Sequence, residues 1–164
     1  MKTQPSVLID RRAVTFGLLL AASPAVGAPS PCPATRVLFV CPAGTVKSAI
    51  AREFLRKRAA ERNVAVEVQS RAIHTEDHVS PALAVQLRAD GIDPRSDIAR
   101  DLQPDDVAKA DLIVAFDDAT NAPALVKAEA WDIPSWNDQY AKAKAALTPK
   151  IDALIDRIES ERCR

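Results

Sequence analysis

Hydrophobic and polar positions alternate along this chain in two rhythms. "TRVLFV" (Thr35 to Val40) is short, apolar and β-branched, the make-up of a strand buried on both faces. From Ser48 the apolar positions switch to helical spacing: Ile50, Phe54 and Leu55, followed by the polar "RKRAAER", predict an amphipathic helix ending near Asn63. "VAVEVQS" (Val64 to Ser70) alternates like a second strand. "SPALAVQLRADGID" offers Ser80 as N-cap, Pro81 at the first helical position, an apolar face at Leu83, Val85 and Leu87, and Gly91 as terminator. "RDLQPDDVAKA" predicts a short helix leading into the buried strand "DLIVAF" (Asp111 to Phe116), and "EAWDIP" (Glu129 to Pro134) a last short strand. A closing helix carries Leu147, Ile151, Leu154, Ile155 and Ile158, with Pro149 expected to break or restart it and Thr148 as its cap.

Strands alternating with helices give βαβ units, hence an α/β fold with a parallel sheet covered on both faces. Ligands bind such sheets at the carboxyl ends of the strands, which points to the loop after the first strand, "CPAGTVK" (Cys41 to Lys47). That loop runs into a helix N-terminus, whose unpaired N–H groups and positive dipole end suit a tetrahedral oxyanion. The small residues Ala43, Gly44 and Thr45 let backbone amides converge. Cys41, at the mouth of such a nest, sits in a field that favours a thiolate as it favours phosphate.

Composition narrows the class. The 164 residues fit one domain, aromatic residues make up only 4%, and the formal net charge of 0 leaves no electrostatic footprint for nucleic acid. The N-terminal stretch differs from the rest. "IDRRAVTFGLLLAASPAVGA" has a twin arginine (Arg11, Arg12), an apolar run too short to span a bilayer, and small residues at Val26, Gly27 and Ala28. It predicts a signal peptide over residues 1–28, of twin-arginine type, a linker over 29–34 and a domain over 35–164, in a protein exported to a periplasmic or extracellular space and free of the membrane once mature. In an oxidising compartment Cys32 and Cys163 are disulfide candidates, the alternative being two unpaired peripheral thiols; Cys41 is the odd cysteine in either case. In "HTEDH", His74 and His78 flank Glu76 and Asp77. No third ligand has clear metal spacing, so a solvated loop is expected there, with no metal and no cofactor.

An apolar strand ending "FVC", five residues, a cation, then Ser48 and a helix resembles the low-molecular-weight protein tyrosine phosphatases and the related thioredoxin- or mycothiol-dependent arsenate reductases. "VQSRA", "SPALAVQLRADGID", "ADLIVAF" and "WDIP" extend the likeness from about Arg36 to the C-terminus. The resemblance implies a doubly wound, four-stranded parallel sheet of flavodoxin-like topology and phosphoryl transfer through a phosphocysteine. Cys41 would be the nucleophile, Ser48 a hydrogen-bond partner of its thiolate, and the segment Pro42, Ala43, Gly44, Thr45, Val46 and Lys47 the oxyanion cradle. Two positions depart from the family pattern. Lys47 stands where the family has arginine, exchanging a planar fork for a point charge, which is expected to slow turnover about 10²-fold or more. Ser135 and Trp136 stand where the family has its general-acid Asp and a Pro, leaving Asp132 and Asp138 as the flanking candidates for proton donor. Trp131, Trp136 and Tyr140 are candidates to line a mouth for an aromatic phosphoester. The expected function is phosphomonoester hydrolysis, phosphotyrosine included. The alternatives are oxyanion binding without turnover, thiol-dependent arsenate reduction and a redox role for Cys41. The partner is thus a phosphate- or arsenate-like oxyanion.

Overall fold

The structure, a computed structural model, describes residues 33–161. The expected leader, most of the expected linker, and both Cys32 and Cys163 lie outside these residues.

Four strands form one parallel sheet: β1 (Thr35–Cys41), β2 (Val66–Ala72), β3 (Leu112–Phe116) and β4 (Glu129–Trp131), in spatial order β2-β1-β3-β4. Alternate residues of β1 serve two cores. Val37, Phe39 and Cys41 pack into the larger one with Leu55, Trp131 and Ile155, while Leu38 and Val40 meet Ala115 and Leu125 in the smaller one. Such two-sided burial explains why β1 reads as an unbroken apolar run.

The helices are α1 (Lys47–Glu61), α2 (Pro81–Ala89), α3 (Pro104–Lys109) and α4 (Tyr140–Glu161), with 3₁₀ turns at Asp117–Asn121 and Pro123–Leu125. The side chain of Ser80 caps α2 by accepting from the Leu83 N–H. Among the described residues no helix is long and apolar enough to cross a membrane.

Two expectations from the apolar pattern are corrected. Val85 is 63% exposed, so α2 buries only Leu83 and Leu87; four residues apart they share a face, and Val85 points away from it. Pro149 does not end α4, which runs through it. Its missing N–H is tolerated because Leu147, Ile151, Leu154, Ile155 and Ile158 hold both halves of the helix on the sheet. Thr148 caps no new helix; its hydroxyl donates back to the Lys144 carbonyl at 2.8 Å.

Candidate active site

β1 delivers Cys41 to the carboxyl edge of the sheet, where β2 and β3 leave it on opposite sides: the switch point of an open α/β fold. The chain must then turn within five residues into α1. Gly44 makes that turn, with φ +75 and so little room that a Cβ would lie 2.7 Å from the Cβ of Ala72. The turn folds the loop over the thiol. The Gly44 N–H donates to Cys41 Sγ at 3.1 Å, and Ser48 Oγ, fully buried in the first turn of α1, lies 3.1 Å from the same sulfur.

The chain after β2 splints this loop. The N–H groups of Ile73, His74 and Glu76 donate to the carbonyls of Cys41, Pro42 and Ala43 at 3.2, 3.0 and 3.1 Å. Thr45 closes the other side, its hydroxyl donating to the Glu76 carbonyl at 2.6 Å and accepting the His78 N–H at 3.1 Å. Two carboxylates hold the splint in turn. Asp101 accepts from the Thr75 hydroxyl and N–H, and those bonds keep its carboxyl below the ordinary value. Asp77 is lowered by the Val79 N–H first and by Arg95 second. The loop is thereby shaped before any ligand arrives.

Over it opens a cavity of about 550 Å³. Each wall comes from the end of one strand: Cys41, Pro42, Ala43, Val46 and Lys47 after β1; Ile73, His74, Glu76 and His78 after β2; Asp117, Asp118 and Ala119 after β3; Ser135, Trp136 and Asn137 after β4. Asn137 ties two walls, its amide donating to the His78 carbonyl at 2.9 Å and its oxygen accepting the Ser80 N–H at 3.2 Å.

The family model described as low molecular weight phosphotyrosine protein phosphatase matches residues 36–146, the stretch that holds this loop, β2 to β4 and all of β1 but Thr35. The chain belongs to that family. Among solved structures it is similar to YfkJ from Bacillus subtilis, with TM-score 0.66 and 19% identity over 80% of this chain and 99% of that one. It is also similar to a low molecular weight protein tyrosine phosphatase from T. tengcongensis, with TM-score 0.60 and 24% identity over 76% and 99%. An arsenate reductase in the phosphate binding state gives TM-score 0.60 and 19% identity over 76% and 98%. These likenesses bear on the fold. No curated protein matches the chain by sequence.

Within this phosphatase-family frame the departures from pattern acquire positions. Lys47, whose side chain is 16% exposed, pairs through Nζ with Asp117 Oδ1 at 2.5 Å. Ser135 lies on the cavity and donates to Asp138 Oδ2 at 2.7 Å. Neither Asp138 nor Asp132 lines the cavity; its carboxylates are Glu76, Asp117 and Asp118. Of the three aromatic candidates only Trp136 reaches the cavity. Trp131 is buried against Phe39 and Phe116, and Tyr140 turns its hydroxyl to Asp90. His74, Glu76 and His78 form a wall, with His78 Nε2 2.7 Å from Glu76 Oε2, and among the described residues no set of three metal-ligating side chains converges.

Sequence reasoning had no signal for Thr45 as a clasp or Asn137 as a tie, because both act through partners remote in the chain. Asp117 had a signal that passed unused: a carboxylate directly after an apolar strand, at the edge where such sheets bind ligands.

Proposed function

We propose that the protein hydrolyses phosphomonoesters through Cys41. The thiolate attacks phosphorus, forming the S–P bond as the bond to the leaving oxygen breaks; water then attacks the phosphocysteine, the S–P bond breaks and phosphate is released. The observation that supports this best is the position of Cys41 Sγ, 3.1 Å from both the Gly44 N–H donor and Ser48 Oγ, beneath a loop whose next turn opens a helix. Donors placed so stabilise the sulfur as leaving group in the second step, and the amides above it suit the phosphoryl oxygens.

p-Nitrophenyl phosphate tests the reading. Nitrophenol release is expected from the wild type, none from Cys41→Ser, and faster release from Lys47→Arg, whose fork binds two oxygens. Release that does not depend on Cys41, or no release at all, removes hydrolysis.

Binding without turnover is the second reading, favoured by a serine in the acid position and a loop cation already paired with a carboxylate. It expects phosphate to protect Cys41 from alkylation in a protein that releases no nitrophenol. Reduction of arsenate by a thiol relay requires a resolving thiol, and Cys41 is the one cysteine among the described residues. We propose a location outside the cytoplasm from the twin-arginine pattern of residues 1–28; fractionation of cells expressing the full chain and one lacking those residues tests it.

A further inference from the structure

Asp117 is the residue with the most unusual combination of features on the cavity wall. It follows directly on β3, has a left-handed backbone at φ +51 without being glycine, and holds Lys47 Nζ at 2.5 Å. Its carbonyl accepts the Thr120 hydroxyl at 2.7 Å, which fixes the turn that carries it. Such backbone conformations persist in a side chain other than glycine when the surroundings over-determine them. Among the described residues Lys47 is the cavity's one Lys or Arg side chain.

We propose that Asp117 is a specificity-determining residue of this site, acting as a resident counter-anion that competes with the bound oxyanion for Lys47. The proposal rests on the oxyanion cradle of the functional reading. One ammonium cannot neutralise both the carboxylate and a phosphate dianion. An entering dianion either takes Lys47 from Asp117, leaving that carboxylate unpaired beside it, or binds to the amides alone next to a neutral pair. Of the other charged or titratable groups on the walls, Cys41 is the thiol beneath the loop, Asp118 adds a second negative charge, Glu76 and His78 are engaged with each other, and His74 is the remaining imidazole, on the wall after β2. The cradle therefore holds monoanionic oxyanions against dianions more strongly than a loop with a free cation does. An arginine at position 47 could hold an oxyanion with two parallel donors while bound to Asp117; the lysine, a compact point charge drawn to that carboxylate, has no such fork to share.

The test is protection of Cys41 from iodoacetamide by inorganic phosphate, in the wild type, Asp117→Asn, Asp118→Asn and the double variant Lys47→Gln/Asp117→Asn, with thermal melts to confirm folding. Asp117→Asn is expected to lower the half-protecting phosphate concentration about tenfold. The gain should be larger on the alkaline side of phosphate's second ionisation, where the dianion dominates, than on the acid side. Asp118→Asn, which removes equal charge without freeing Lys47, should give a clearly smaller gain, and the double variant none. Asp117→Gly removes the carboxylate and relieves the left-handed residue, so it should repeat the gain if asparagine perturbs the turn. Equal effects of Asp117→Asn and Asp118→Asn, an undiminished gain in the double variant, or weaker protection in Asp117→Asn would each overturn the proposal. Failure of the functional reading looks different: absence of nitrophenol release with the affinity order intact removes hydrolysis alone, whereas absence of protection in every variant removes the cradle and the role of Asp117 together.

Discussion

At the scale of single residues the proposed chemistry has its nucleophile position fully dressed and its proton-donor position bare. Cys41 has its loop N–H and its serine, but the hydroxyl of Ser135 is directed to Asp138 and its own acidity is far from any useful range. Leaving groups that depart as stable anions should therefore be the ones turned over: aryl phosphates well, alkyl phosphates poorly. Ser135→Asp puts a carboxyl group on the cavity wall, so alkyl phosphate turnover should rise about 10²-fold with little change for p-nitrophenyl phosphate. Steady-state kinetics on the two substrates check this, and the variant's pH–rate profile should gain a new descending limb on the alkaline side. The surroundings of Cys41 were legible in the sequence because its loop N–H and its serine lie within "CPAGTVKS", one turn of chain and one turn of helix. The pairing of Lys47 with Asp117 was not, because it depends on β3 lying beside β1, which brings together residues far apart in sequence. Asp132 and Asp138 stood out by nearness in sequence to the expected acid, whereas the walls are drawn from four strand ends.

Among the elements, the turn between β1 and α1 is the least replaceable. Gly44→Ala must hold an L residue at φ +75 and find room for a methyl group 2.7 Å from the Ala72 side chain, which lies on the neighbouring strand and cannot swing away. The expected cost is about 2 kcal/mol or more in unfolding free energy, measured by denaturant titration, together with loss of Cys41-dependent activity as the loop lifts from the sulfur. The order of elements was readable because each strand is an apolar run closed by polar punctuation. The errors came where a local rule met tertiary packing. At Val85 the helical face is narrower than the apolar residues on it, and at Pro149 the apolar stripe on both sides outweighs one missing hydrogen bond.

For the molecule as a whole, stability should depend on carboxylates that hold elements together. Asp111, bonded by the Arg36 side chain and N–H, and Asp90, bonded by Lys144 and Tyr140, both sit below the ordinary value of 3.8. Asp106 and Glu129 are lowered as well, although burial, their largest single influence, pushes the other way. A folded-state value below the unfolded one means a contribution present above the unfolded value and lost as pH falls through the folded one. The midpoint of thermal unfolding is therefore expected to hold on the neutral side and to drop progressively as pH falls from about 4, as a calorimetric pH series would show. Tyr140 works in the opposite direction: burial and then Asp90 raise its hydroxyl above the ordinary 10.0, so its contribution is lost only in strong alkali. The sheet order has one more consequence, for synthesis. Among the described strands β1 is made first, yet its two edges are covered by β2 and by the later β3, which ends at Phe116. At ordinary translation rates the strand that carries Cys41 waits roughly 4 to 15 s for its second neighbour, longer than β3 waits for β4, with an apolar edge open on the nascent chain meanwhile.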